Sequence, residues 1–390
     1  MAVPALAHKA AAGCQVVYSK GFQRVRQNDF GGIDVDTSQL TVTERPLLYM
    51  MTWRCTRACN YHCTYCSFGS NPYPVNEIDT KGGMKIVDEL YELGAKWFGL
   101  SGGEPLVRKD VFDIIRHAKS LGMNVSMITN GYYVKGDILD QLIRNEVMTA
   151  VSLDGVEATN DLTRGKGSYK TAVNAMEKLS DGNIFDCIVT TLNRRNCSEV
   201  DHIVDLGRKY NATRVVYHNY IPVGRAAEHL ELAPTPQQYE EVWNHIYDLM
   251  QENANKLSIN VYCPFFARIA KQRGMPDFDN WFNNVFLGQC FIGGRYMGLL
   301  ENGDIRPCGF NEGYRMGNIR NKSMKEIWTD MQTSDLTLKL KDRSNLKGKC
   351  GVCEFQEICG GCRTRAEIYT GDLFASDPAC AYVPKCLREE

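Results

Sequence analysis

Between residues 47 and 262, short apolar runs alternate with amphipathic stretches, and this alternation restricts the fold more than any other feature of the chain. The runs are LLYMMTW (47–53), WFGL (97–100), NVSMIT (124–129), MTAVSL (148–153), CIVTTL (187–192), RVVYHNYI (214–221) and LSINVY (257–262). The stretches at 82–93, 110–121, 169–179, 199–210 and 237–251 carry the period of helices with one apolar face. Strand followed by helix at this spacing means parallel strands with right-handed crossovers, hence an α/β barrel or an open α/β sheet. Past about residue 285 the rhythm stops, and the chain becomes Gly-rich and Cys-rich up to Cys386. The expected organisation is an extension over 1–44, the α/β unit over 45–284 and a small Cys-rich unit over 285–390. With a weak apolar core of its own, that last unit depends on bound metal for its order.

Composition removes several classes of function. Lys and Arg total 45 against 46 Asp and Glu, which argues against a surface built to coat a nucleic-acid backbone. No window approaches the ~20 apolar residues of a membrane helix. The opening MAVPALAHKAAAGC lacks the apolar core of an export signal, which points to the cytoplasm. In that reducing compartment, 16 cysteines suggest metal rather than disulfides.

In α/β folds the chemistry sits at the carboxyl ends of the strands, and the unusual residues of this chain fall there. The first run leads into Cys59, Cys63 and Cys66, a C-x3-C-x2-C triplet on one loop. Three thiolates so spaced can hold three irons of a cubane and leave the fourth iron open. A zinc knuckle is the alternative, with His62 or Cys55 as the fourth ligand; Cys55 reads otherwise as a buried, inert thiol. The second run is followed by Gly102-Gly103-Glu104-Pro105, where glycines admit close backbone approach and a carboxylate can pair with a cation. The next two end in Thr129-Asn130-Gly131 and Ser152-Leu153-Asp154-Gly155. Toward the C-terminus stand Cys290, Cys308, Cys350-x2-Cys353-x5-Cys359-x2-Cys362 and Cys380, too many thiolates for one zinc site.

The triplet loop with its following strand ends resembles the radical S-adenosylmethionine (SAM) enzymes, which fold as a partial (β/α)6 barrel. The resemblance implies that the open iron binds SAM, whose reductive cleavage gives a 5′-deoxyadenosyl radical, with Cys59, Cys63, Cys66 and Glu104 at the catalytic centre. It further implies Tyr65 beside the adenine, and Gly102, Gly103, Glu104 and Pro105 at the SAM ammonium. Asn130, Ser152 and Asp154 would serve ribose and methionyl groups, and Arg164 the carboxylate. The C-terminal cysteines resemble the SPASM extension of these enzymes, which binds two auxiliary iron–sulfur clusters, read as [4Fe-4S]. By that likeness Cys350, Cys353, Cys359 and Cys380 hold the distal cluster, and Cys290, Cys308 and Cys362 the proximal one. The fourth proximal position is then open or filled by Cys386, Cys263 or another side chain.

The segments PVGRAAEHLEL (222–232), LKGKCGVCEFQEICGGCRTRAEIYTGD (346–372) and DPACAYVP (377–384) resemble the radical SAM enzymes of siroheme-based haem and haem d1 synthesis. This implies a tetrapyrrole substrate: oxidative decarboxylation of iron-coproporphyrin III propionates first, and acetate removal from didecarboxysiroheme second. It also implies a low-potential donor such as ferredoxin or flavodoxin. A peptide maturase and a non-enzymatic Fe–S electron-transfer protein are the rival readings. Arg225, Arg268, Arg363 and Arg365 are candidate partners of the substrate carboxylates. Phe265 and Phe266 are candidate pocket walls, His218 a candidate iron ligand or proton-transfer group, and Tyr217 and Tyr220 weaker candidates.

Overall fold

The computed structural model describes residues 26–27, 33–34, 50–254, 256–284, 290, 292 and 296–388. Apart from an antiparallel pairing of Arg26–Gln27 with Ile33–Asp34, the extension expected over 1–44 lies outside the described residues. Seven strands follow one another in parallel: β1 (Met50–Thr56), β2 (Trp97–Gly102), β3 (Asn124–Thr129), β4 (Met148–Ser152), β5 (Phe185–Thr191), β6 (Arg214–His218) and β7 (Ser258–Tyr262). Helices α1 (Thr80–Glu92), α2 (Val111–Ser120), α3 (Gly136–Arg144), α4 (Glu157–Arg164), α5 (Ser168–Asp181), α6 (Val200–Lys209) and α7 (Pro236–Asn253) occupy the crossovers. Side-chain caps start two of them: Asp79 accepts from the Gly82 N–H, and Thr235 with Gln238 forms a capping box before Pro236.

Alternation along the strands separates two faces. On β3, Val125, Met127 and Thr129 are buried under the helices, while Ser126 and Ile128 on the inner face remain half-exposed. Ala150, Cys187 and Val216, with Ile128, Val189 and Tyr262, form a small apolar cluster on that inner face, separate from the main core. The inner face is thus an open lumen. Its mouth is the carboxyl end of the strands.

The C-terminal region joins this sheet. Strands β8 (Gly298–Leu299), β9 (Asp304–Arg306) and β10 (Gly317–Asn318) extend it to ten, with Leu299 parallel to Trp53 of β1. The Trp53 indole N–H donates to Leu300 O at 3.1 Å, and the Arg54 Nε to Glu301 at 2.6 Å. Pairing with β1 merges this region with the main core, to which it contributes Leu299, Ile305, Met324, Ile327 and Met331. No helix among the described residues is long and apolar enough to cross a membrane.

Candidate functional site

Strand β1 delivers the chain into the triplet loop, which is gripped from two sides. On one side, the Gly103 N–H donates to Thr56 O and the Glu104 N–H to Ala58 O, both at 2.8 Å. A Cβ on Gly103 would stand 2.1 Å from Ala58 O, so the close approach requires glycine there. On the other side, the Arg225 N–H donates to Cys66 O at 2.9 Å. Its guanidinium donates to Cys63 O at 2.8 Å and Ser70 O at 2.6 Å. Gly224, at φ +58°, lies where a Cβ would be 2.6 Å from Ser67 O. The segment 222–232 therefore buckles the cysteine loop. Arg225, expected at a substrate carboxylate, is instead bound to loop carbonyls.

Cys59, Cys63 and Cys66 lie within one another's electric field, and burial pushes the Cys59 thiol up to about 12 and Cys63 up to about 11. Such thiols lose their protons when a cation compensates for the buried charge. The zinc alternative lacks its fourth ligand, because His62 is exposed and Cys55 is buried, donating to Ser101 O at 3.4 Å. Among the described residues no three Cys, His, Asp or Glu side chains converge on one ion. Thiolates spread over separate irons of a cubane do not need to converge in that way, so the residues fit a cluster.

Glu104 is fully buried and caps the turn Pro105–Val107. Its carboxylate accepts from the Leu106 N–H (3.2 Å), the Thr129 hydroxyl (2.8 Å) and the Asn130 N–H (2.8 Å). Burial nevertheless drives its carboxyl up to about 7. The Asn130 amide donates to Asn60 Oδ1 at 2.8 Å, tying β3 to the cysteine loop. Asp154, also buried, accepts from the Tyr65 hydroxyl and the Arg164 Nε, both at 2.5 Å, and from the Thr191 N–H at 2.9 Å. The terminal nitrogens of Arg164 make no hydrogen bond among the described residues and are available to an anionic ligand. Ser152 is half-buried on the inner face, in register with Val189.

In the C-terminal region, Cys350, Cys353, Cys359 and Cys380 line one cavity. Cys308 and Cys362 each feel Cys290 instead. A buried ion pair orders the space between the two groups. Asp377 accepts from Arg365 Nε and Nη2, both at 2.7 Å, and from the Cys362 N–H at 2.8 Å, while its own N–H donates to Cys350 Sγ at 3.4 Å. Burial pushes the Asp377 carboxyl up, but the paired guanidinium and these hydrogen bonds hold it below the ordinary range. Cys263 lies in the field of Cys359, and exposed Cys386 donates to Val352 O at 3.4 Å, so both sit on the side of the four-cysteine cavity.

The comparisons with known proteins agree with this geometry. The radical SAM superfamily model matches residues 53–205, and the SPASM iron–sulfur cluster-binding domain matches 290–354. The AdoMet-dependent heme synthase of Methanosarcina barkeri is 32% identical over 88% of this chain and 99% of its own. The chain belongs to the radical SAM superfamily. Mycofactocin maturase MftC of Mycolicibacterium smegmatis is 30% identical, over 85% of this chain and 82% of its own. Streptococcus suis SuiB bound to S-adenosylmethionine shares the fold, with a TM-score of 0.70 at 17% identity, over 86% of this chain and 77% of that one.

As a radical SAM enzyme with a SPASM domain, the protein uses SAM and iron–sulfur clusters. Several substrate-site expectations are corrected by the structure, since a buried guanidinium must find partners inside the protein. Arg268 is paired with Glu240, Arg363 donates to Leu373 O and Ala375 O, and Arg365 is held by Asp377. Phe265 and Phe266 pack in the core against Tyr239 and Trp243. The Tyr217 and Tyr220 hydroxyls bond backbone carbonyls. His218 alone of this set faces the lumen, stacked on Tyr262 at 4.2 Å, and burial lowers it to about 4, leaving it neutral.

Sequence reasoning passed over Arg54, Arg306 and Asp377. The first two sit at inner-face positions of β1 and β9, a placement that emerges once β9 is known to join the sheet.

Proposed function

We propose that this enzyme converts propionate side chains of iron-coproporphyrin III to vinyl groups. One geometric observation carries the reading. Phe68, two residues past Cys66, stacks on Phe310, two residues past Cys308, with ring centroids 6.3 Å apart and planes 7° from parallel. The triplet loop and a loop of the auxiliary cysteines thus meet at one mouth of the lumen. Propionate-to-vinyl conversion requires both functions at one substrate: a hydrogen atom leaves the side chain, the bond to the carboxylate breaks to release CO2, and one electron departs. Similarity to a heme synthase over most of both chains supports the substrate class.

Bound at the triplet on Cys59, Cys63 and Cys66, a reduced cubane with SAM supplies the radical that takes the hydrogen atom. The protein residues orient and enclose that group. Glu104 offers a carboxylate for the SAM ammonium, Gly102, Gly103 and Pro105 shape its cradle, and Arg164 offers its free nitrogens to the SAM carboxylate. Tyr65 and Asp154 fix Arg164, while Asn130 and Ser152 border the same rim. The set Cys350, Cys353, Cys359 and Cys380 holds one auxiliary cluster, and Cys290, Cys308 and Cys362 hold the other, nearer the lumen, to accept the electron. A cytoplasmic setting with ferredoxin or flavodoxin as donor fits these reducing requirements.

A peptide substrate is the second reading, favoured by the similarity to mycofactocin maturase MftC. Anaerobic incubation of the reduced enzyme and SAM with iron-coproporphyrin III, with didecarboxysiroheme, or with neither, followed by mass spectrometry, decides. Loss of CO2 and two hydrogens per propionic acid side chain is expected, the abstracted hydrogen atom and the carboxyl proton. Acetate loss from didecarboxysiroheme, or no reaction with either tetrapyrrole, overturns the proposal.

A further inference from the structure

The four arginines chosen from the sequence for the substrate carboxylates are engaged inside the protein, yet the lumen mouth carries two others. On β1, Trp53 faces the core and pairs with Leu299, so Arg54 faces the lumen. On β9, Ile305 is fully buried on the core face, so Arg306 shares the lumen face with Arg54. Burial lowers the pKa of the Arg54 guanidinium, Glu301 opposes that, and the charges of Arg57 and Arg306 add smaller repulsions. Arg54 donates its Nε to Glu301 at 2.6 Å and lies over the Phe68 ring, 4.9 Å from its centroid. Its terminal nitrogens make no hydrogen bond among the described residues. Among the described residues Arg306 reaches only Asn311 O, at 3.4 Å. Neither contact satisfies the forks that a guanidinium presents.

Two partly shielded guanidiniums on one face, of which Arg54 has a carboxylate partner in Glu301, still offer an anion their terminal nitrogens. The ligand must also tolerate a flat aromatic surface, because the Phe68–Phe310 stack forms the floor beneath Arg54. Resting on the reading that iron-coproporphyrin III is the substrate, we propose that Arg54 and Arg306 clamp the porphyrin carboxylates that persist in the product. The reacting propionates belong elsewhere in the lumen. A guanidinium pair stabilises a carboxylate as an anion and so opposes its departure as CO2.

The test uses the reconstituted full-length enzyme under anaerobic conditions, titrated with iron-coproporphyrin III, with haem b and with the tetramethyl ester of iron-coproporphyrin III. Each Arg306→Gln and Arg54→Lys variant first has its iron content and SAM affinity measured. Arg54→Lys retains a cation for Glu301 while removing the fork. Both variants should weaken the two carboxylate ligands by about tenfold to a hundredfold, the range for a lost charged hydrogen bond, and leave ester binding unchanged. Wild-type affinities for all three ligands in both variants overturn the clamp, as does weakening confined to iron-coproporphyrin III with haem b unaffected. Failure of the wild-type enzyme to bind either porphyrin acid overturns the underlying substrate reading instead.

Discussion

In the barrel, Cys59, Cys63 and Cys66 lie on a loop strung between strand ends that the sheet has already fixed; its contacts run to the Gly103–Glu104 backbone just after β2 and to the Gly224–Arg225 buckle. Cys308 follows β9 of the same sheet, but the cysteines from Cys350 to Cys380 hang from no strand. Their loops are drawn together by Asp377 and Arg365, a buried ion pair with 0% and 2% of the side chains exposed. Order in the first case is inherited from a hydrophobic core. In the second it is concentrated in a few charged groups whose loss leaves an unmatched buried charge. The same ligand chemistry therefore rests on a distributed support in one region and on a concentrated one in the other.

The most severe way to sharpen this contrast is to remove the triplet thiols. Cys59→Ala, Cys63→Ala and Cys66→Ala should each abolish 5′-deoxyadenosine formation while auxiliary iron and the melting transition persist, as read by iron analysis and calorimetry. Unchanged 5′-deoxyadenosine in these variants refutes the assignment of the loop. Next in size, Asp377→Ala should destabilise the C-terminal region by about 3–5 kcal/mol, the range for breaking a buried pair by removing one partner. Denaturant titration should show that transition shifting first, with auxiliary iron lost ahead of triplet iron. A single unaltered transition would mean that the pair is not the support described.

A smaller effect is expected at the buckle. Gly224→Ala strains a residue at φ +58° and presses a Cβ against Ser67 O, at roughly 1–2 kcal/mol. Triplet iron should become labile to chelators while auxiliary iron does not. The mildest test varies pH. Glu104, raised to about 7 mainly by burial, is protonated below that value and must lose its proton to pair with an ammonium. SAM affinity should fall as pH drops through 7 and level off above it, and Glu104→Gln should flatten that profile. By linkage, protonated Glu104 favours the folded state between its ordinary range and 7, so this contribution to stability fades as pH rises through 7. A SAM affinity in the native enzyme that does not change between pH 6 and 8 would remove Glu104 from the binding site.

The strands expected from periodicity appear with small shifts: 124–129 coincides with β3, while 214–221 contracts to Arg214–His218 and 187–192 moves back to Phe185–Thr191. Apolar residues at the ends of the expected runs belong to the following loops, where packing rather than strand pairing buries them. The triplet and the Gly-Gly-Glu-Pro turn were legible because their local spacing is part of their chemistry. The arginines were not. A guanidinium looks alike in sequence whether it clamps a loop, pairs with an aspartate or faces a lumen.

The alternation of strand and helix fixed the α/β architecture, and the spacing of the thiols fixed which residues stand together on a loop, since both properties act over a few consecutive positions. The tertiary structure alone decided that β8–β10 continue the barrel sheet, that Arg225 and Arg365 act inside the protein, and that Arg54 and Arg306 share the lumen mouth. Apart from the Arg365–Asp377 pair, 12 positions apart, those relations join residues more than 150 positions apart, and they depend on which face of each strand meets the core, a property of the assembled sheet.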